Sequence, residues 1–181
     1  MIDCNSIMDD EQQMRARMKP NPSIDDMIGF VSQHWTECGT IRRESMQRIE
    51  SYDDANFYCE AVDTRDGHDQ QYRSYLIKCY NAVETCNEGS SNLLRGLGLM
   101  LSRINEKITT DLQVPTIVMP HNSNDLSSNY MLMDECLLSD DSRQQVAVRL
   151  FKWIQGYEAL FDCLSLMDGW LLTYNLLYLR Y

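Results

Sequence analysis

Basic residues are scarce in this sequence. Sixteen Lys and Arg stand against 27 Asp and Glu, a formal net charge of -11, which repels phosphate backbones and anionic headgroups and leaves no basic stripe for counterion release. Neither nucleic acid nor an anionic membrane is therefore an expected partner. The three histidines, His34, His68 and His121, lie far apart, and none has a cysteine at ligand spacing, which argues against a zinc site. The seven cysteines are odd in number, and no two form a C-x-x-C pair. With no signal-peptide pattern at the start, they fit a reducing, cytoplasmic compartment. No run matches the roughly 20 mainly apolar residues of a membrane span. The most apolar stretch, Leu160 to Tyr181, is interrupted by Asp162, Asp168 and Asn175 and reads as an amphipathic helix. A chain of 181 residues suits one core.

What is present has local order. Met1 to Lys19 is polar with no sustained apolar period and reads as a mobile tail, order beginning near Pro20. Ile24, Met27, Ile28, Val31 and Trp35 recur at three and four residues behind Ser23, an N-cap residue, with Asp25 and Asp26 in the first turn. They predict a short helix ending near Gly39. From Ile41 to Asp63 strand formers flank the polar cluster Glu50 to Asn56, predicting two antiparallel strands and a turn, followed by a turn signal at Asp66-Gly67. Tyr72 to Tyr80 alternates as a strand with Lys78 among apolar neighbours near its end. Asn87 to Ser91 reads as a loop, and Leu93, Leu94, Leu97, Met100, Leu101, Ile104 and Ile108 form a helical stripe interrupted by Gly96 and Gly98. Pro115 to Met119, Tyr130 to Leu138 and Val146 to Ile154 read as strands, the last running into a linker at Gly156, and Pro120 to Ser128 as an Asn- and Ser-rich loop.

Three local sequences carry chemistry. Ser51-Tyr52-Asp53-Asp54-Ala55-Asn56-Phe57 resembles the S-Y-D-D-x-N-F turn of hydroxylysine kinases, within the aminoglycoside phosphotransferase-like class. Tyr75-Leu76-Ile77-Lys78-Cys79 is similar to that family's lysine-bearing strand, and Val148-Arg149-Leu150-Phe151-Lys152 to Gly156 resembles its V-R-L strand and hinge. The likeness extends from about Ile24 to about Ala159. It implies a kinase-like amino-terminal lobe over 20–159, of α+β class, with a twisted antiparallel sheet of about five strands and a packed helix, while the residues of 160–181, where the chain departs from the family, read as an apolar helical tail. It further implies that Ser51, Tyr52, Asp53, Asp54 and Asn56 form a turn over the phosphates of GTP or ATP with Mg, that Lys78 supplies a point charge to phosphate oxygens, and that Leu150 and Lys152 lie on the strand against which the purine rests. Asp53 and Asp54 are expected to shape the turn without ligating phosphate or metal. The family transfers a γ-phosphoryl group to a hydroxyl of a small amine-bearing substrate, 5-hydroxylysine with GTP as donor in hydroxylysine kinase.

Two departures limit that expectation. Where the family's helix carries a glutamate that pairs with the strand lysine, this chain reads Leu93-Leu94-Arg95-Gly96-Leu97, and Glu88 and Glu106 stand elsewhere. No H-x-D-x-x-x-x-N sequence, the family's base loop, is present. The expected reading is thus a nucleotide-gripping lobe without catalysis of its own. The alternatives are a binding or regulatory module that self-associates or docks a partner through 160–181, and an incomplete gene model.

Overall fold

The computed structural model describes residues 4–63, 71–86, 88–107, 115–121 and 129–153. It has three α-helices and a seven-stranded antiparallel sheet, a mixed α+β fold. The turn signal at Asp66-Gly67, most of the Asn- and Ser-rich loop and the stretch 160–181 lie outside the described residues.

Three long strands form the middle of the sheet: β3 (Ala55–Asp63), β4 (Gln71–Cys79) and β7 (Arg143–Lys152). They pair in that order, Phe57 opposite Ile77 and Ile77 opposite Leu150. Two short strands, β1 (Thr40–Ile41) and β2 (Gln47–Ile49), share the outer edge of β3, while β5 (Thr116–Val118) and β6 (Met131–Leu137) share that of β7. The count exceeds the expected five because each flank is built in two pieces.

Alternation along the long strands splits the sheet into two faces. Phe57, Cys59, Tyr75, Ile77, Val146, Val148 and Leu150 point to the main core, where α2 (Ile24–His34) supplies Met27 and Val31. This helix starts as its sequence predicts: the Ser23 side chain accepts from the Asp26 N–H, and the Asp26 carboxylate accepts from the Ser23 N–H. Trp35 follows, buried, its indole N–H donating to the Val118 carbonyl at 2.7 Å. The reversal after it requires Gly39 at φ +89°, since a Cβ there would lie 2.2 Å from the Val62 carbonyl oxygen.

The other face is covered by α3 (Glu88–Lys107), which begins inside the stretch expected as a loop. Its apolar stripe is less buried than its spacing suggests. Leu94 is buried, whereas Leu93 is exposed. The larger core belongs to α2. Gly98 faces inward because a Cβ would overlap the Asn129 side chain, whereas one at Gly96 would meet nothing within 4 Å. No described helix is long and apolar enough to cross a membrane.

The amino-terminal stretch differs most from expectation. Residues Cys4–Arg17 form helix α1 instead of a mobile tail. Glu11, Gln12, Gln13, Met14, Arg15 and Ala16 are good helix formers even without an apolar period, and periodicity alone misses such a helix.

The main core carries a pH dependence. Burial pushes the Cys59 thiol from 9.0 up to about 12, the Cys136 thiol up to about 11, the Tyr75 phenol from 10.0 up to about 12 and the Cys79 thiol well above its ordinary value. An unfolded chain loses these protons near pH 9 to 10 while the folded chain retains them, so stability present below about pH 9 is lost as pH rises towards 12. Urea midpoints should stay level from pH 7 to 8.5 and fall steeply by pH 10.5. A level profile across that whole range would contradict this account.

Candidate functional site

The turn between β2 and β3 and the end of β4 bring most of the expected site residues together. Asn56 stands directly opposite Lys78 across the β3–β4 ladder, and Lys78 opposite Arg149 across β4–β7. All three belong to the α3 face. The Lys78 amine is paired with the Asp54 carboxylate at 2.9 Å, with side-chain exposures of 13% and 7%, and it lies 5.0 Å from the centroid of the Tyr80 ring. The acid that meets the lysine thus comes from the turn itself. Neither Glu88 nor Glu106 takes that place, since α3 is not the source of the partner.

Asn81 organises the turn from below. Its backbone N–H donates to Asp54 Oδ1 at 2.9 Å and its Nδ2 to Asp53 Oδ1 at 2.7 Å and to the Arg15 carbonyl at 2.8 Å. Asp53 also accepts from the Arg15 guanidinium, which reaches Glu84 at 2.7 Å. Burial holds the Asp53 carboxyl above its ordinary range, opposed by Arg15 and reinforced by the neighbouring Asp54. Both aspartates are therefore engaged in holding the turn. Two buried oxygens of the same segment, Ser51 Oγ and Asn56 Oδ1, have no hydrogen-bond partner among the described residues. Unsatisfied buried acceptors are uncommon.

Tyr52 is exposed, its hydroxyl accepting from Gln12 Nε2, and the Ser51 and Tyr52 carbonyls accept from the Lys19 ammonium. A cavity of about 290 Å³ lies between α1, the turn and α3, with Arg15, Asp53, Asp54 and Glu84 on its polar side and Tyr80 and Leu97 among its other walls.

The remaining two expected residues are not brought there. Leu150 is fully buried in the main core opposite Ile77, and Lys152 stands opposite Tyr75 and is exposed, so both side chains lie on the face away from Lys78. On the Lys78 face the same strand presents Arg149 and Phe151, and beyond it Trp153 meets Tyr58 edge-on at 5.1 Å. Arg149 is 1% exposed. It donates to Asn129 Oδ1 at 3.0 and 2.5 Å, to the Tyr80 hydroxyl at 2.8 Å and to the Leu94 carbonyl, which fastens α3 to the sheet. Sequence reading missed Arg15, Lys19, Asn81 and Asn129 altogether and saw Arg149 only as part of a strand motif.

Among the described residues no three His, Cys, Asp or Glu side chains converge on a metal-sized site. The Asp54 and Asp53 carboxylates are paired with Lys78 and Arg15. No protein-family profile, characterised protein or solved structure matches this chain.

Proposed function

We propose that this chain is a nucleotide-gripping, kinase-like lobe of the aminoglycoside phosphotransferase-like class, most similar to hydroxylysine kinases, which takes GTP or ATP, with magnesium carried on the nucleotide, against the turn Ser51 to Asn56 and Lys78. One observation carries the reading: a mostly buried lysine on the central strand faces a polar turn that contains the family's S-Y-D-D-x-N-F residues. The order of elements supports it, a turn-bearing hairpin, the lysine strand, a helix, then the strands that close the sheet. Phosphoryl transfer depends on positioning and on neutralising charge at the moving group, and a base loop orients the acceptor. The 181 residues contain no H-x-D-x-x-x-x-N sequence, so this polypeptide alone should hold a nucleotide without passing its phosphate on.

Binding should be weak, because Asp54 already occupies the lysine and part of the purine strand turns its side chains to the opposite face. A Kd of about 1 mM, equivalent to about 4 kcal/mol, is the expected scale. Lys78→Ala should weaken GTP binding at least tenfold while urea denaturation still shows a cooperative fold. Equal binding by the variant, or turnover of hydroxylysine by the unaltered chain, would refute the proposal. A second reading, a binding module with no phosphotransferase role, is favoured by the Asp54–Lys78 pair, which leaves the lysine neutralised unless the turn moves.

A further inference from the structure

Over residues 10–17, the part of helix α1 whose side chains are described, the attachment to the turn is polar. From residue 10 to 17 no side chain is buried, and only Arg15 is even partly covered. Its ties are Gln12 to the Tyr52 hydroxyl, Arg15 to Asp53 and Glu84, and the Asn81 bond to its last-turn carbonyl. Ion pairs at partly exposed positions contribute little, and a stretch such as 10–17, with no buried side chain, belongs to the low-stability end of a structure. The chain is firmly anchored immediately after it: the Met18 carbonyl accepts from Ala82 at 3.1 Å, the Lys19 carbonyl from Ser139 at 2.9 Å, and the Asn21 N–H donates to Leu137 at 2.7 Å. Residues 10–17 can therefore leave the turn while the sheet remains intact.

Its placement reaches the lysine through two links. Arg15 fixes Asp53, and Asn81 binds Asp53, the Arg15 carbonyl and Asp54 together, so the docked helix favours the turn conformation in which Asp54 occupies Lys78. Lys19 holds the two turn carbonyls beside it, and Glu11 of α1 adds a negative wall to the cavity. The Asp54–Lys78 pair and the Glu11 carboxylate oppose an incoming polyphosphate.

We infer that α1 is an autoinhibitory strap: docked, it locks the turn with Asp54 on Lys78, and released, it frees the turn to receive the phosphates of a nucleoside triphosphate. This regulation rests on the nucleotide reading given above. If α1 acts this way, weakening its attachment raises affinity, whereas an Arg15 that served as a phosphate ligand would lower affinity when lost.

The test uses the full chain and two variants. Arg15→Gln removes the tether, and Gln13→Pro breaks the helix while retaining every charge. Neither alters a buried side chain. Magnesium GTP binding is measured by calorimetry, and hydrogen exchange over residues 4–17 and over β3 and β4 reports which part has opened. The strap predicts faster exchange in 4–17, unchanged protection in β3 and β4, and at least fivefold tighter GTP binding for both variants, including the case in which binding is measurable only in the variants. If the unaltered chain binds GTP and the variants bind equally or less well, the strap is wrong and the nucleotide reading survives. If none of the three binds, the nucleotide reading fails and the strap falls with it.

Discussion

Arg149→Ala should destabilise the fold by about 3–4 kcal/mol, because it leaves buried partners without their donor. The guanidinium is 1% exposed and is met by Asn129, the Tyr80 hydroxyl and the Leu94 carbonyl, with the Tyr80 ring 5.2 Å away. No carboxylate among the described residues pairs with it. Its charge is balanced by dipoles and ring faces, each weaker than an ion pair, and all of them lose their purpose together. Replacing a whole buried polar cluster by apolar groups can be harmless, but removing only its centre is not. Arg149→Met, which keeps a comparable stem and loses the donors, separates packing from hydrogen bonding. Both variants should lower the urea midpoint and speed exchange in α3 before the rest. A loss below 1 kcal/mol for Arg149→Met would show that these bonds contribute little.

Gly39→Ala is the second large effect, at about 3 kcal/mol. Its φ of +89° is unfavourable for any residue with a Cβ, and the added carbon would lie 2.2 Å from the Val62 carbonyl oxygen and 2.8 Å from its carbon. The obstacle is backbone, so no side-chain rotation relieves it, and β1 must separate from β3 at the Thr40–Val62 pair. At about 2–4 °C per kcal/mol for a chain of this size, Tm should drop by roughly 6–12 °C. Gly96→Ala provides the opposite sign: in an exposed helical position with nothing within 4 Å, alanine should stabilise by about 0.5–1 kcal/mol. Equal shifts at the two glycines would overturn the geometric explanation.

The parts of the site legible in the sequence were those written in local chemistry. Ser23 with Asp26 announced α2, strict alternation from Tyr72 to Tyr80 announced β4, and the polar run Glu50 to Asn56 announced the turn that faces Lys78. What escaped depends on register between distant segments. Leu150 and Lys152 stand one residue out of phase with Arg149, and a single step along a strand moves a side chain to the opposite face. The partner of Lys78 came from 24 positions upstream, a pairing that no periodicity encodes. The stripe on α3 misled for a related reason: helical spacing identifies an apolar face, but only the sheet decides how much of it is covered, and the deeper core formed beneath α2. Helix α1 was missed because no apolar face marks it, although its helix-forming composition supports it.

The two-piece flanks of the sheet have a consequence for how copies of this chain meet in solution. A long unpaired strand offers a row of free N–H and C=O groups on which another chain can extend the sheet. Here each long outer strand is covered by two short ones, β1 and β2 on one side and β5 and β6 on the other. None of the four outer strands exceeds the seven residues of β6, and β6 is itself interrupted between Met133 and Cys136, where Glu135 takes a φ of 57°. Such an edge twists and breaks before a second sheet can align with it. The described sheet is thereby protected against edge-to-edge growth by discontinuity.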